Sequence, residues 1–99
     1  MNSPRGISKV EWHRLTQFQQ QVYRAVSTIP RGQTRSYQWV AQQIGRPRAV
    51  RAVGNALNAN PWAPRIPCHR VIRSDGSLGG FAQGPAAKRK RLQQERKTA

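Results

Sequence analysis

Residues 36–58 read SYQWVAQQIGRPRAVRAVGNALN, and the order of residue types in this stretch decides the fold. Ser36 is a good N-cap, because its hydroxyl can accept a hydrogen bond from an otherwise unpaired backbone N–H in the first turn. The helix it opens is short and turns Val40, Ala41 and Ile44 inward. Gly45 then supplies a residue that tolerates the left-handed conformation in which helices commonly stop. Pro47 starts a further helix, from about Arg48 to Asn58. That helix has two faces: Val50, Val53 and Leu57 form an apolar stripe, while Arg48, Arg51, Asn55 and Asn58 line up on another side. Two short helices joined by a glycine-containing turn, the second with a cationic and amide-rich outer face, predict a helix-turn-helix. An ordinary solvated helix in a basic protein shows the same outer face, so the pattern points toward DNA without establishing it.

Upstream, Leu15, Phe18, Val22 and Val26 recur at helical spacing and predict a helix that ends before Pro30 and Gly32. Residues 1–10, with Pro4, Gly6 and few apolar groups, read as a loose lead-in. Downstream, Asn60 to Pro67 (NPWAPRIP) carries three prolines and reads as a stiffened extended loop that presents the next segment of chain. Ile66 to Ile72 reads as a short extended run. Ser74, Asp75 and Gly76 form a turn into Leu78-Gly79-Gly80-Phe81, as a wing or hairpin beside the helices would. Pro85 to Arg96 has helix formers after a Gly-Pro start, and its run Lys88-Arg89-Lys90-Arg91 also suits a frayed basic tail or a nuclear-import signal. The expected fold is mainly α: one helix-turn-helix or winged-helix-like domain over residues 11–97, with a small extended wing.

Ninety-nine residues allow one small core and no second. Eighteen Lys and Arg against three Asp and Glu give a net charge of +15, which strains a compact fold unless an anionic partner shares its surface. Nucleic acid fits that requirement, although a ribosomal or chromatin-type binder without chemistry fits it equally. No apolar stretch approaches the roughly 20 residues of a membrane helix, and the N-terminus lacks a signal peptide's apolar middle. A cytoplasmic location, or a nuclear one in a eukaryote, and a monomeric state are therefore expected. One cysteine and two distant histidines give no zinc-ligand spacing, so a reduced thiol with no metal and no cofactor is the expectation.

That thiol sits in Pro67-Cys68-His69-Arg70-Val71. A thiol reacts as thiolate, and a neighbouring base or cation raises the thiolate fraction. On an extended segment consecutive side chains point to opposite sides, so Cys68 and His69 would meet only at a bend or through a bridging water. A lone intracellular cysteine is also often just a small buried hydrophobe.

Taken with its surroundings, the pentapeptide resembles the O6-alkylguanine-DNA alkyltransferases in their C-terminal DNA-binding domain. The likeness runs from about Phe18 to Glu95 and rests on Ile66-Pro67-Cys68-His69-Arg70-Val71, Ser74-Asp75-Gly76 and Leu78-Gly79-Gly80-Phe81. Ser36-Tyr37, Arg51-Ala52-Val53-Gly54 and Asn60 agree with it in type and spacing. The resemblance implies an enzyme that removes an alkyl group from O6 of guanine in double-stranded DNA, once per molecule. It implies Cys68 as the acceptor, His69 as a base acting through water, Glu95 holding His69 in its tautomer, and Tyr37 donating toward guanine N3. Asn60 would brace the cysteine loop. Arg51 would fill the stack vacated when the damaged nucleotide is flipped out, through a helix laid in the minor groove. Tyr37, Gln38, Arg46, Arg51 and Ser74 would touch DNA. Phe81 departs from the tyrosine common in the family, Trp62-Ala63 differs from the usual loop, and an N-terminal domain found in many members has no counterpart here. Two competing readings are an alkyltransferase-like lesion sensor, which typically replaces the reactive cysteine, and a basic winged-helix DNA binder, which needs neither His69, Tyr37 nor Glu95.

Overall fold

A computed structural model describes residues 7–59, 66–79 and 84–98. Asn60, Trp62, Ala63 and Phe81, to which the sequence assigns roles or departures, lie outside the described residues. In chain order the elements are α1 (Lys9–His13), α2 (Gln17–Ser27), β1 (Arg35–Ser36), α3 (Tyr37–Gln43), α4 (Val50–Asn58), a 3-10 turn (Cys68–Arg70), β2 (Val71–Ile72) and α5 (Pro85–Thr98).

Helix α2 starts at a capping box: the Thr16 hydroxyl accepts from the Gln19 N–H at 3.1 Å, and the Gln19 side chain accepts from the Thr16 N–H at 3.0 Å. Val22 and Val26 are fully buried as their spacing predicts, with Phe18 and Leu15 partly buried beside them. The lead-in is structured further toward the N-terminus than its composition suggests. Ile7 is buried, and Ser8 caps α1, whose Trp12 is entirely enclosed and carries the Arg24 guanidinium over its ring at 5.4 Å.

The helix-turn-helix is present. Ser36 Oγ accepts from the Trp39 N–H at 2.9 Å, Val40 and Ala41 are buried, and Gly45 stops α3 at φ +73°. Helix α4 begins two residues later than expected, at Val50. Residues 46–49 instead close a turn in which the Ala49 N–H donates to the Arg46 carbonyl at 2.9 Å, so Arg48 stands before the helix rather than on it. The Gln38 side-chain amide donates to the Pro47 carbonyl at 3.0 Å and ties this turn to α3. Val53 and Leu57 reach the core, and the Tyr23 hydroxyl, donating to the Ala56 carbonyl at 2.7 Å, locks α4 to α2.

The segment after the proline-rich stretch corrects the expectation of a continuous extended run. Cys68–Arg70 is a 3-10 turn, closed by Arg70 N–H to Pro67 carbonyl at 3.0 Å, and only Val71 and Ile72 are strand. Local pairing wins because Cys68 N–H also finds the Ile66 carbonyl at 2.8 Å, leaving no donor of that peptide for a neighbouring strand. Among the described residues the one strand pairing is parallel, β2 with β1, Arg35 opposite Val71 and Ser36 opposite Ile72, and no hairpin is seen. This two-residue pairing joins the start of α3 to the end of the cysteine turn, so Tyr37 and Cys68 are carried on adjoining pieces of backbone.

Helix α5 packs against the cysteine turn. Among its described side chains Lys88, Leu92 and Glu95 are buried, at i, i+4 and i+7 on one face, while Arg89, Lys90, Gln93 and Arg96 are exposed. The run 88–91 is thus part of a docked helix and not a frayed tail.

Candidate active site

Cys68 is 7% exposed and reduced. On a 3-10 turn successive side chains fan apart by about a third of a circle instead of alternating. His69 accordingly turns to α5, while Cys68 faces a different set of groups, close enough for its charge to act on the Tyr37 and Tyr23 phenols and the Lys88 ammonium.

His69 is 2% exposed, and its Nε2 lies 2.9 Å from Glu95 Oε2, a short contact that is bent away from the ideal N–H direction. The carboxylate puts the proton on Nε2 and leaves Nδ1 as the basic atom. Nδ1 is buried and has no hydrogen-bond partner among the described residues. Burial lowers the His69 pKa below its ordinary 6.5, against the opposing pull of Glu95, so the ring is neutral at pH 7 and able to accept a proton.

Glu95 is held from a second side by Arg70, a residue to which the sequence alone assigns no role. Arg70 Nε donates to both carboxylate oxygens at 3.0 and 3.2 Å, Nη2 donates to Oε2 at 2.6 Å, and Nη1 donates to the Ile29 carbonyl at 2.9 Å. Burial by itself would raise the Glu95 pKa, but the bonds from Arg70 and His69 outweigh it and bring it from 4.5 to about 2. Arg70 therefore fixes the carboxylate that orients His69 and ties Ile29, in the segment after α2, to α5.

Tyr37 opens α3 and is half-buried. Burial, then the nearby Cys68, raise its pKa above 10.0, against a smaller lowering by Arg73, which keeps the phenol protonated at neutral pH. A second residue missed in the sequence meets it here: Lys88, fully buried, donates from Nζ to Tyr37 Oη at 3.3 Å and to the Leu78 carbonyl. The Tyr37 ring also lies against Gly79, at φ +74°, where an added Cβ would fall 2.9 Å from the phenol oxygen.

The structure thus brings Cys68, His69, Glu95 and Tyr37 to one region. Of the other residues expected at DNA, Arg51 is exposed on α4, Arg46 is exposed in the preceding turn, and Ser74 is exposed in the turn closed by Gly76 N–H to Arg73 carbonyl at 2.9 Å. Gln38 is half-buried and engaged with Pro47, so it supports the α3–α4 turn. Among the described residues, no helix is long and apolar enough to cross a membrane.

Known proteins resemble this chain in sequence and in fold. A methylated-DNA--protein-cysteine methyltransferase of Methanosarcina barkeri is 58% identical over 69 residues, covering 70% of this chain and 44% of its own. The Escherichia coli bifunctional transcriptional activator/DNA repair enzyme Ada is 54% identical over 82 residues, covering 83% of this chain and 23% of its own. Mycobacterium tuberculosis OGT, solved in complex with DNA, superposes with a TM-score of 0.84 at 51% identity, over 87% of this chain and 53% of that one. The chain thus spans from about a quarter to about half the length of these relatives. Residues 17–97 match the family described as 6-O-methylguanine DNA methyltransferase, DNA binding domain, and with that match over most of its length the chain belongs to this family.

Proposed function

We propose that this chain repairs duplex DNA by moving an alkyl group from O6 of guanine onto Cys68, and that it corresponds to the C-terminal, DNA-binding part of its longer relatives. The observation that carries the reading is the buried His69–Glu95 contact at 2.9 Å on the turn that begins with Cys68, with His69 Nδ1 left as an open base. Names and DNA-bound state of the relatives support the same reaction class.

The Cys68 thiol gives its proton, through a water, to His69 Nδ1, and Glu95 stabilises the resulting cation. The thiolate attacks the alkyl carbon, an S–C bond forms as the C–O6 bond breaks, and the electron pair passes into the guanine ring. Tyr37 gives its phenolic proton to N3 as that charge develops, which makes the base a better leaving group. The product is a thioether, and nothing in this site regenerates the thiol. Arg51 fills the stack left by the flipped nucleotide, Arg46, Gln38 and Ser74 meet the backbone, and Asn60 braces the cysteine loop. The protein acts as a monomer in the compartment that holds the DNA.

The test is incubation with duplex DNA carrying O6-methylguanine, followed by intact mass and peptide mapping. One added methyl on Cys68 per molecule, and none on Cys68→Ala, is the expected result. Repeated turnover, or lesion binding with Cys68 unmodified, would replace this reading with an ordinary catalyst or a lesion sensor.

A further inference from the structure

We propose that Lys88 is the positioning residue that turns the Tyr37 phenol into a donor toward the flipped base, acting through its hydrogen bonds to Tyr37 Oη and to the Leu78 carbonyl; this rests on the alkyl-transfer reading of the site.

The inference comes from what each group can donate and accept. An ammonium has three donors and no acceptor, and a phenol oxygen has one proton to give. Where Lys88 Nζ meets Tyr37 Oη at 3.3 Å, the phenol oxygen must therefore be the acceptor. Its own proton then points away from Lys88, toward an acceptor in another direction. The ring has little freedom to turn away, because a Cβ added at Gly79 would fall 2.9 Å from the phenol oxygen and Lys88 Nζ holds that same oxygen at 3.3 Å. By binding the Leu78 carbonyl as well, Lys88 holds the Leu78–Gly79 backbone against the ring it orients. Full burial makes an ammonium costly, and a side chain with only a packing role would be better served by methionine or leucine.

The arrangement also has a pH limit. Burial brings the Lys88 pKa from 10.5 to about 8, with the nearby Cys68 raising it and Arg73 lowering it. Among the described residues, Tyr37 from α3, Cys68 from the 3-10 turn and Arg73 just after β2 are the titratable and charged groups that act on it. Once neutral, the amine can accept, and the phenol proton can turn back to it. The donor toward guanine is then lost, although both side chains stay in place.

Single-turnover transfer from duplex O6-methylguanine, at saturating protein and over about pH 6 to 10, tests this. The wild-type rate should fall above about pH 8, whereas Tyr37→Phe, slower by about tenfold or more, should show no such fall. Lys88→Met should slow transfer about tenfold at pH 7 in the wild-type background and less than about twofold in Tyr37→Phe. Equal slowing in both backgrounds would overturn the proposal, since Lys88 would then act on Cys68 or on the fold. Should Lys88→Met not fold, the two pH profiles still decide, and a fall that persists in Tyr37→Phe refutes the inference. A readout independent of transfer is the Tyr37 Cζ chemical shift in carbon-labelled protein. It should step near pH 8 in the wild type and lose that step in Lys88→Met or Lys88→Arg. A step without any alkyl transfer would retain the Lys88–Tyr37 coupling and reject the repair reading, and no step would reject the coupling itself.

Discussion

Replacing Glu95 by Gln keeps the shape of the side chain and removes the charge shared by His69 and Arg70. In the folded protein the carboxyl stays ionised down to about pH 2, while an unfolded chain holds its proton up to about 4.5. Between those values the unfolded state binds more protons, so stability is complete above pH 4.5 and falls as pH drops through the window. At about 1.4 kcal/mol for each tenfold in proton activity, the interval corresponds to about 3 kcal/mol, or nearer 2 once solvent at the Arg70 edge is allowed for. That edge is real, since the Arg70 side chain is 15% exposed. At pH 7 the substitution leaves Arg70 with a neutral partner and should cost about 2 kcal/mol, a large share of the stability of a small domain.

The assay is urea unfolding from pH 7 to pH 2, with wild type and Glu95→Gln followed by circular dichroism. The chain suits the experiment because it has only three acidic residues, so few carboxylates contribute to the acid limb. One of the other two, Asp75, has its pKa lowered by hydrogen bonds from the Ser77 hydroxyl and N–H, and Asp75→Asn serves as the control for its share. His69 contributes at a different place. Its folded pKa lies below 6.5 because of burial, so the loss it causes sets in as pH falls below 6.5, before the Glu95 window opens. Parallel acid limbs for wild type and Glu95→Gln below pH 4.5 would refute the placement of Glu95 as the carboxylate that His69 and Arg70 share.

Other perturbations bear on different parts of the molecule. Arg51→Ala and Arg51→Lys should both slow single-turnover repair of duplex DNA at saturating protein, with much less effect on transfer from the free modified base; full rates in both would reduce Arg51 to a surface cation. Gly79→Ala places a Cβ 2.9 Å from the Tyr37 phenol at a backbone φ of +74°, so transfer should drop about tenfold or more and thermal stability should fall. Gly54→Ala is the contrast: its Cβ would meet the Tyr37 ring at an ordinary 4.0 Å inside α4, and a gain of about 0.5–1 kcal/mol in unfolding free energy is expected. Duplex affinity measured against salt should fall steeply and depend little on sequence, given a net charge of +15; a flat salt response would contradict backbone-dominated binding.

The parts of the fold legible in the sequence are those governed by short-range chemistry. Ser36 as a cap, Gly45 as a stop and the Val22–Val26 spacing are local rules, and each is met in the structure. Where local rules compete, the outcome is less legible. Pro47 is an acceptable first helical residue, yet the Arg46–Ala49 turn closes there and delays α4 to Val50. In the cysteine segment, residues Ile66 to Ile72 have the composition of a strand, but their strand partner is only two residues long and the rest folds on itself as a 3-10 turn.

Helix α5 marks the limit of reading by hydrophobic pattern. Its buried stripe is Lys88, Leu92 and Glu95, two charges and one leucine, in a segment where almost every residue is helix-forming and polar. No periodicity in hydropathy can single out such a face, because the groups that dock it do so by donating and accepting hydrogen bonds rather than by excluding water. The partners that make burial tolerable lie far away in sequence: Arg70 and His69 for Glu95, Tyr37 and the Leu78 carbonyl for Lys88. A charge run read alone is a solvated tail, whereas the same helix set against a cysteine turn provides two polar clamps, Glu95 on His69 and Lys88 on Tyr37. The Glu95 clamp fixes which nitrogen of His69 is basic, and the Lys88 clamp fixes which way a phenol proton points. Both functions depend on charges that a core built for stability alone would not contain, which is why the least hydrophobic helix of the chain is the one that assembles the site.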